Sequence, residues 1–251
     1  MKNKFKYYEN KVVWIIGASA GIGKALAFEL DHVGAKLILS SRSGTKLDDM
    51  GKSFKNKPLT IPFDVSNLIE FQSEANNIFK QYQLDYIIYL PAFYEPSNLS
   101  RLDFELINKT LSINLKSVFY LISIALPYMK KNPAVTLAIT ASVAGYMGLA
   151  NAQPYGATKA GVINLVESFK AEHPTYSVKL INPGFVRTRL TDKNNFKMPF
   201  IISPGKAANY ILKGLLTNKF EVHFPKKFTL LLKIIQKMPY WLYFKLLKKF
   251  T

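Results

Sequence analysis

The sequence predicts a single doubly wound α/β domain on one parallel sheet, followed by a C-terminal helical extension. Three observations carry this. Short β-branched runs alternate with amphipathic segments from Lys11 to Phe224. The runs are apolar on both faces, as strands covered by helices on both sides must be. A glycine-rich turn stands directly after the first run and ahead of a helix.

The elements follow in order. Residues 11–16 form the first strand. A helix spans 21–33, with Ala25, Leu26 and Leu30 on one face and Gly34 as its stop. Residues 36–40 are the second strand, 46–55 a helix and 59–63 the third strand. A helix at 68–82 precedes a wholly apolar fourth strand at 85–90. Two helices fill 102–130, the fifth strand is 134–140, and a long helix covers 154–170. The sixth strand, 178–181, is closed by Pro183-Gly184. A helix at 204–216 and a last strand at 221–224 complete residues 1–225, the α/β unit. The composition shifts once, at Pro225, and 226–251 form the extension.

Composition sets bounds. A chain of 251 residues, 49% apolar, can bury a large core and is not globally disordered. The lack of cysteine excludes disulfides and thiol chemistry and fits a reducing compartment. The three histidines, His32, His173 and His223, do not pair at ligand spacing, so no metal site is expected. The net charge of +18 admits nucleic acid, an anionic membrane face or a lysine-rich composition as its reason. The lysines cluster in an apolar tail and not on a reading element, so no nucleic-acid partner is expected. Residues 1–10 are polar, contain Glu9 and lack the apolar core of a signal peptide. No uninterrupted apolar run reaches ~18 residues, so no spanning helix is expected. A cytoplasmic location follows as the expectation.

The turn reads Gly17-Ala18-Ser19-Ala20-Gly21-Ile22-Gly23. One glycine permits the tight turn, one lets the backbone approach a pyrophosphate, and one lets the helix pack on the strand. The helix N-terminus then offers N–H groups and a positive dipole end to an anion. A turn without a ligand is the plain alternative; the placement after the first strand gives the motif its weight. The spacing G-x-x-x-G-x-G resembles that of the short-chain dehydrogenase/reductase family, over about residues 11–224. The resemblance implies a Rossmann-type fold, a nicotinamide dinucleotide and a homo-oligomer. Ile16 stands where the family usually has threonine, which implies a lost local hydrogen bond and not a lost site.

An acid near the end of the second strand would accept from the 2′-hydroxyl of NAD; a cation there would meet the 2′-phosphate of NADP. The chain reads Leu39-Ser40-Ser41-Arg42-Ser43. Ser41 occupies the acidic slot, and Arg42 offers charge-assisted bonds to a phosphate, unless it is simply a solvated surface arginine. The missing acid favours NADP (NADPH) over NAD. Asp64-Val65 matches the family's adenine-contacting pair. Tyr89-Leu90-Pro91-Ala92 stands where the family commonly has Asn-Asn-Ala-Gly. The usual asparagine contact to the sheet is gone, and an altered strand end is expected beside the adenosine ribose, with Ala92 at the cofactor.

Tyr155 and Lys159 are four apart on a helix and share a face. An adjacent ammonium stabilises a phenolate, so the tyrosine should ionise below its ordinary value of ~10. Ser142, thirteen residues before that tyrosine, can hydrogen-bond a substrate carbonyl. Taken singly these residues mean little; the joint pattern Ser142-Val143-Ala144-Gly145, Tyr155-x-x-x-Lys159, Asn182-Pro183-Gly184-Phe185-Val186-x-Thr188 is that of the family. The resemblance makes Asn114, Ser142, Tyr155 and Lys159 catalytic, with Asn114 holding a water in a proton relay. It places Gly17, Ser19, Gly21, Ile22, Gly23, Ser41, Arg42, Asp64, Val65, Ala92, Tyr155, Lys159, Pro183, Gly184, Val186 and Thr188 at the cofactor. Val186 and Thr188 would hold the nicotinamide carboxamide.

The expected site walls are apolar: Phe93 and Tyr94 after the fourth strand, Tyr146, Met147 and Leu149 after Ser142, and Phe185, Leu190, Phe196, Met198 and Phe200 after the sixth strand. They point to a small apolar or lipid-like ketone or alcohol. The tail carries seven lysines and no acid between Pro225 and Thr251. Lys226, Lys233 and Lys237 fall on one helical face, opposite Phe228, Leu231, Leu232 and Ile235. Pro239 then breaks the pattern before Tyr240-Trp241-Leu242-Tyr243-Phe244 and a second basic segment with Lys245, Lys248 and Lys249. Such a segment suits the face of an anionic membrane, or packs its apolar side on the domain or on a sister subunit. The sequence thus predicts an NADP-dependent oxidoreductase acting at a carbonyl or alcohol carbon. The alternative is a dinucleotide-binding sensor or membrane-associated scaffold that does not turn over.

Overall fold

The protein is described here by a computed structural model, which covers residues 5–101 and 103–247. Leu102, Lys248 and Lys249 lie outside the described residues. The strands are β1 (Val12–Ile16), β2 (Lys36–Ser40), β3 (Leu59–Thr60), β4 (Tyr86–Tyr89), β5 (Thr136–Thr140), β6 (Ser177–Pro183) and β7 (Glu221–Phe224). They form one seven-stranded sheet in the order β3-β2-β1-β4-β5-β6-β7, with every pairing parallel. The winding reverses between β1 and β4, which opens a crevice at the carboxyl ends of the strands there.

The period-2 alternation of β1 divides the molecule into its two cores. Trp14 and Ile16 face one side, with Phe71, Ile87, Leu137 and Val166. Val13 and Ile15 face the other, with Leu26, Leu30, Ile211 and Leu212. The first core is covered by α3 (Leu68–Gln81), α5 (Ser117–Lys131) and α6 (Tyr155–Glu172). The second is covered by α1 (Gly21–His32), α2 (Gly44–Gly51) and α7 (Pro204–Leu215). The Trp14 indole N–H donates to Ser40 Oγ at 3.0 Å, so its one polar atom is satisfied inside the core.

Four helix starts carry side-chain caps. Ser43, Asn67, Asp103 and Ser203 each accept a backbone N–H three residues on, a contact that contributes ~1 kcal/mol. The cap at Ser43 starts α2 two residues before the expected position 46. The helix also ends at Gly51 and not at 55, because the backbone N–H groups of Lys55 and Asn56 are held by the Asp31 carboxylate at 2.9 and 3.0 Å. β3 is shorter than expected and β6 longer.

Between α4 (Phe104–Leu111) and α5 the chain makes a π turn over Ser112–Lys116. The continuous helical run Phe104–Lys131 is long and apolar enough to cross a membrane by length and composition, contrary to expectation. Ile113, Val118, Leu121, Ala125 and Met129 are nevertheless buried in the first core. Near the other end, Phe5 and Tyr8 are buried, and the Tyr8 hydroxyl donates to Leu212 O at 2.6 Å. That anchor was not legible in a segment read only as polar.

The extension folds as α8 (Lys226–Gln236) and α9 (Tyr240–Leu247). Phe228 is buried, with its ring 5.5 Å from that of Phe185 and packed with Val143 and Tyr146. The apolar face expected on this helix is divided: Phe228 packs on the domain while Leu231 is 49% exposed, and Leu230 and Ile234 flank it on the open side. Phe228 fixes the rotation of α8 and turns this second apolar strip outward. Lys233 also departs from the solvated lysine face, since it pairs with Glu221. The Tyr243 hydroxyl of α9 donates to the Gly148 carbonyl, so the extension touches the segment after Ser142.

Candidate active site

A cavity of about 600 Å³ lies at the winding reversal. Gly17 leaves β1 with φ +88°, the left-handed region that glycine tolerates without strain. A methyl group on Gly17 would lie 3.0 Å from the nitrogen of Pro91, and one on Gly23 would collide with the Gly17 carbonyl oxygen. The turn therefore hugs both α1 and the end of β4, and the first residues of α1 face the cavity. Gly17, Ser19, Gly21, Ile22, Gly23, Ser41, Arg42, Asp64, Val65, Ala92, Pro183, Gly184, Val186 and Thr188 all line it, as do Ser142, Tyr155 and Lys159.

The strand end at Tyr89 is less altered than its sequence implied. Leu90 N–H still donates to Ile16 O at 3.0 Å, so the sheet pairing continues to the brink of the cavity. Tyr89 is buried, and its hydroxyl donates to Ser117 Oγ at 2.5 Å. The ring thus points into the first core, and burial raises its pKa well above the ordinary phenol value.

Tyr155 begins α6, and Lys159 lies one turn on. Lys159 is 1% exposed; its Nζ donates to Thr140 O at 3.1 Å and stands 5.6 Å from the centre of the Tyr155 ring. No carboxylate pairs with it among the described residues, and burial pulls its pKa down to about 8. The expected lowering of Tyr155 is reversed: burial pushes its pKa up to about 12, outweighing a hydrogen bond with Ser142, while Tyr94 raises it further. Tyr155 is held as a neutral phenol. Ser142 Oγ accepts from Ala144 N–H at 3.1 Å, and the hydroxyl also hydrogen-bonds Tyr155.

Asn114 is the predicted site residue that does not line the cavity. It is fully buried in the π turn. Its Oδ1 accepts from Phe93 N–H at 2.7 Å, and its Nδ2 donates to Phe93 O at 2.7 Å and to Thr158 Oγ1 at 3.3 Å. Its side chain clamps the backbone that carries Phe93 and Tyr94. Those two line the cavity, and the Tyr94 ring meets that of Tyr155 edge-on at 5.0 Å. The Tyr94 hydroxyl donates to Asn194 Oδ1 at 2.7 Å, and Lys193 pairs with Glu95 at 2.5 Å, joining the segments after β4 and β6.

The apolar wall is smaller than expected. Phe93, Tyr94 and Leu190 line the cavity. Tyr146 instead lines a second cavity beneath α8, Phe185 packs on Phe196 and Phe228, and Phe196 and Phe200 are about half exposed. Sequence reasoning missed Lys46, Thr140, Arg189 and Lys193, which do line it. Only the Lys46 position, one turn after Arg42, carried a local hint.

A dinucleotide fits the residues present. The glycine turn and the first residues of α1 line the cavity, and Thr140 Oγ1, buried on the cavity wall, has no hydrogen-bond partner. Comparison with known proteins agrees. Residues 11–198 match the family model for short chain dehydrogenases. A 3-oxoacyl-(acyl-carrier-protein) reductase of Rickettsia conorii is 32% identical over 189 residues, covering 74% of this chain and 77% of the relative. An uncharacterized oxidoreductase of Myxococcus xanthus is 26% identical over 237 residues, covering 90% and 91%. In fold, the chain superimposes on a Burkholderia cenocepacia short chain dehydrogenase in complex with NADP with a TM-score of 0.83 at 20% identity, over 96% of this chain and 98% of that one. It also matches a Burkholderia phymatum short chain dehydrogenase/reductase in complex with NAD, with a TM-score of 0.82 at 18% identity, over 92% and 94%. With the parallel sheet, the glycine turn at its reversal and the Ser142, Tyr155 and Lys159 side chains in one cavity, the chain belongs to the short-chain dehydrogenase/reductase family of NAD(P)-dependent oxidoreductases acting on alcohol and carbonyl groups.

Proposed function

We propose that the chain is an NADP-dependent oxidoreductase interconverting a carbonyl and an alcohol on a small apolar or lipid-like substrate, working beside an anionic membrane surface. The observation that carries the reading is that Ser142, Tyr155 and Lys159 meet the glycine turn in one cavity; in the reduction direction Tyr155 holds a proton at Oη and can give it to a developing alkoxide. When bound, the reduced nicotinamide supplies the hydride. Ser142 donates to the carbonyl oxygen and orients it toward Tyr155. Lys159, with one N–H committed to Thr140 O, keeps two donors for a ribose hydroxyl and for the growing charge at Tyr155. Val186, Thr188, Pro183 and Gly184 hold the nicotinamide end; Gly17, Ser19, Gly21, Ile22 and Gly23 cradle the pyrophosphate; Asp64, Val65 and Ala92 border the adenosine. Asn114 positions the Phe93–Tyr94 wall. Arg42 and the absence of an acid at Ser41 support NADP over NAD.

Replacing Tyr155 by Phe removes the donor and keeps the ring. Turnover of a ketone panel, followed by NADPH absorbance, falls at least ~10²-fold while NADPH binding is retained. Wild-type turnover by the variant, or no turnover of any ketone by the intact enzyme, defeats the reading.

The membrane reading rests on α8 and α9. Leu230, Leu231, Ile234, Tyr240, Trp241 and Phe244 are each about half exposed or more, and lysines alone supply the charge between them. Each lysine contributes ~1 kcal/mol at most at an anionic surface, and salt weakens it. The protein should sediment with phosphatidylglycerol vesicles at low salt. It should stay in solution at high salt, or when Leu231, Ile234 and Trp241 are changed to Ser. If the intact protein ignores the vesicles, the exposed strip belongs to a protein contact.

A further inference from the structure

We infer that Lys46 is a second specificity-determining cation for the cofactor's 2′-phosphate, acting with Arg42. This rests on the NADP reading proposed above. Ser41, Arg42, Ser43 and Lys46 line the cavity together, at the end that also holds Asp64 and Val65. Two cations facing one end of a cavity call for an anion, and nothing on the protein supplies it. The ion pairs among the described residues are Lys11–Asp85, Lys52–Asp49, Lys193–Glu95 and Lys233–Glu221; neither Arg42 nor Lys46 takes part.

The nearby carboxylates are directed elsewhere. Asp48 accepts from Thr60 Oγ1 at 2.9 Å, Asp49 pairs with Lys52, and Asp64 Oδ1 accepts from the Ser66 backbone N–H and hydroxyl at 2.8 and 2.7 Å. The lysine's origin is fixed as well. Its backbone N–H donates to the Ser43 cap, and the next residue, Leu47, is fully buried in the second core. The helix therefore cannot rotate Lys46 away from the cavity without lifting Leu47 out.

A phosphate monoester carries about −1.5 to −2 charges at pH 7, with its second pKa near ~6. One guanidinium leaves part of that charge unmatched. Arg42 offers a planar fork, and Lys46 offers a point charge on a long stem. Lys46 is exposed, so its share is modest and screened by salt.

The test uses calorimetric titration of the full chain with adenosine 2′,5′-bisphosphate and with adenosine 5′-monophosphate, which differ only in the 2′-phosphate. Wild type should prefer the bisphosphate. Lys46→Gln should weaken it about fivefold and leave the monophosphate unchanged, and Lys46→Arg should restore it. Adding Arg42→Gln to Lys46→Gln should bring the two affinities together. If Lys46→Gln weakens neither ligand, or both equally, while Arg42→Gln still collapses the preference, Lys46 has no part in selection and the NADP reading stands. Equal affinities in the wild type overturn both.

Discussion

Lys159 and Lys233 both lean into the protein, one beneath the cofactor cavity and the other beneath α8, and they meet opposite surroundings. Lys233 pairs with Glu221, whose Oε1 also accepts from Tyr146 Oη at 2.5 Å and Asn182 Nδ2 at 2.8 Å. Burial alone would push the Glu221 pKa up; these three donors outweigh it and hold the carboxyl below the usual carboxylate range. Lys159 has a carbonyl and two hydroxyl-bearing neighbours but no carboxylate, and burial goes unopposed. The first arrangement ties β6, β7, α8 and the segment after Ser142 together. The second leaves a charge under strain where a ligand can relieve it. Compensated charge marks a structural joint, and uncompensated charge marks a working site.

The largest effect expected from breaking this contrast is at Glu221. Glu221→Ala leaves Lys233, Tyr146 and Asn182 without their shared acceptor and should cost about 3 kcal/mol in urea unfolding. Glu221→Gln keeps an acceptor for Tyr146 and should cost about 1 kcal/mol. Because the folded pKa is depressed, the charge-dependent part is present above the ordinary carboxylate pKa and is lost as pH falls through the lower folded value. The gap between wild type and Glu221→Gln should therefore close in acid. A gap that persists unchanged would mean that packing, and not charge, makes the joint.

The smaller effect is the opposite in sign. A lysine pKa moved from 10.5 to about 8 means that the folded state carries roughly 3 kcal/mol of charge-burial cost below pH 8. Lys159→Met removes that cost and the Thr140 contact of ~1 kcal/mol, for a net gain of about 2 kcal/mol at pH 7. The gain should shrink as pH rises from 8 and turn into a loss of about 1 kcal/mol above 10.5, where the lysine is neutral in both states and only the Thr140 contact is missed. The same variant should lose turnover. Thermal melts at pH 7 and 10 decide this; a destabilised variant at pH 7 would show that Lys159 is compensated after all.

Much of this was legible because the chemistry is local. Gly17 to Gly23 occupy one turn and Tyr155 to Lys159 one helical turn, so backbone geometry brings each set together before any tertiary contact forms. The strand–helix alternation likewise fixed a covered parallel sheet, since only such a sheet buries runs that are apolar on both faces. Tertiary structure decided what depends on partners distant in sequence. Asn114 clamps Phe93, 21 residues away, and Tyr94 meets Asn194, 100 residues away. Glu221 gathers Tyr146, 75 residues distant. Phe228 chose which side of α8 turned inward and left Leu231 outside. The sign of the Tyr155 shift was also beyond the sequence: the i, i+4 spacing places a cation beside a phenol, but burial sets the sign, and burial belongs to the packed interior.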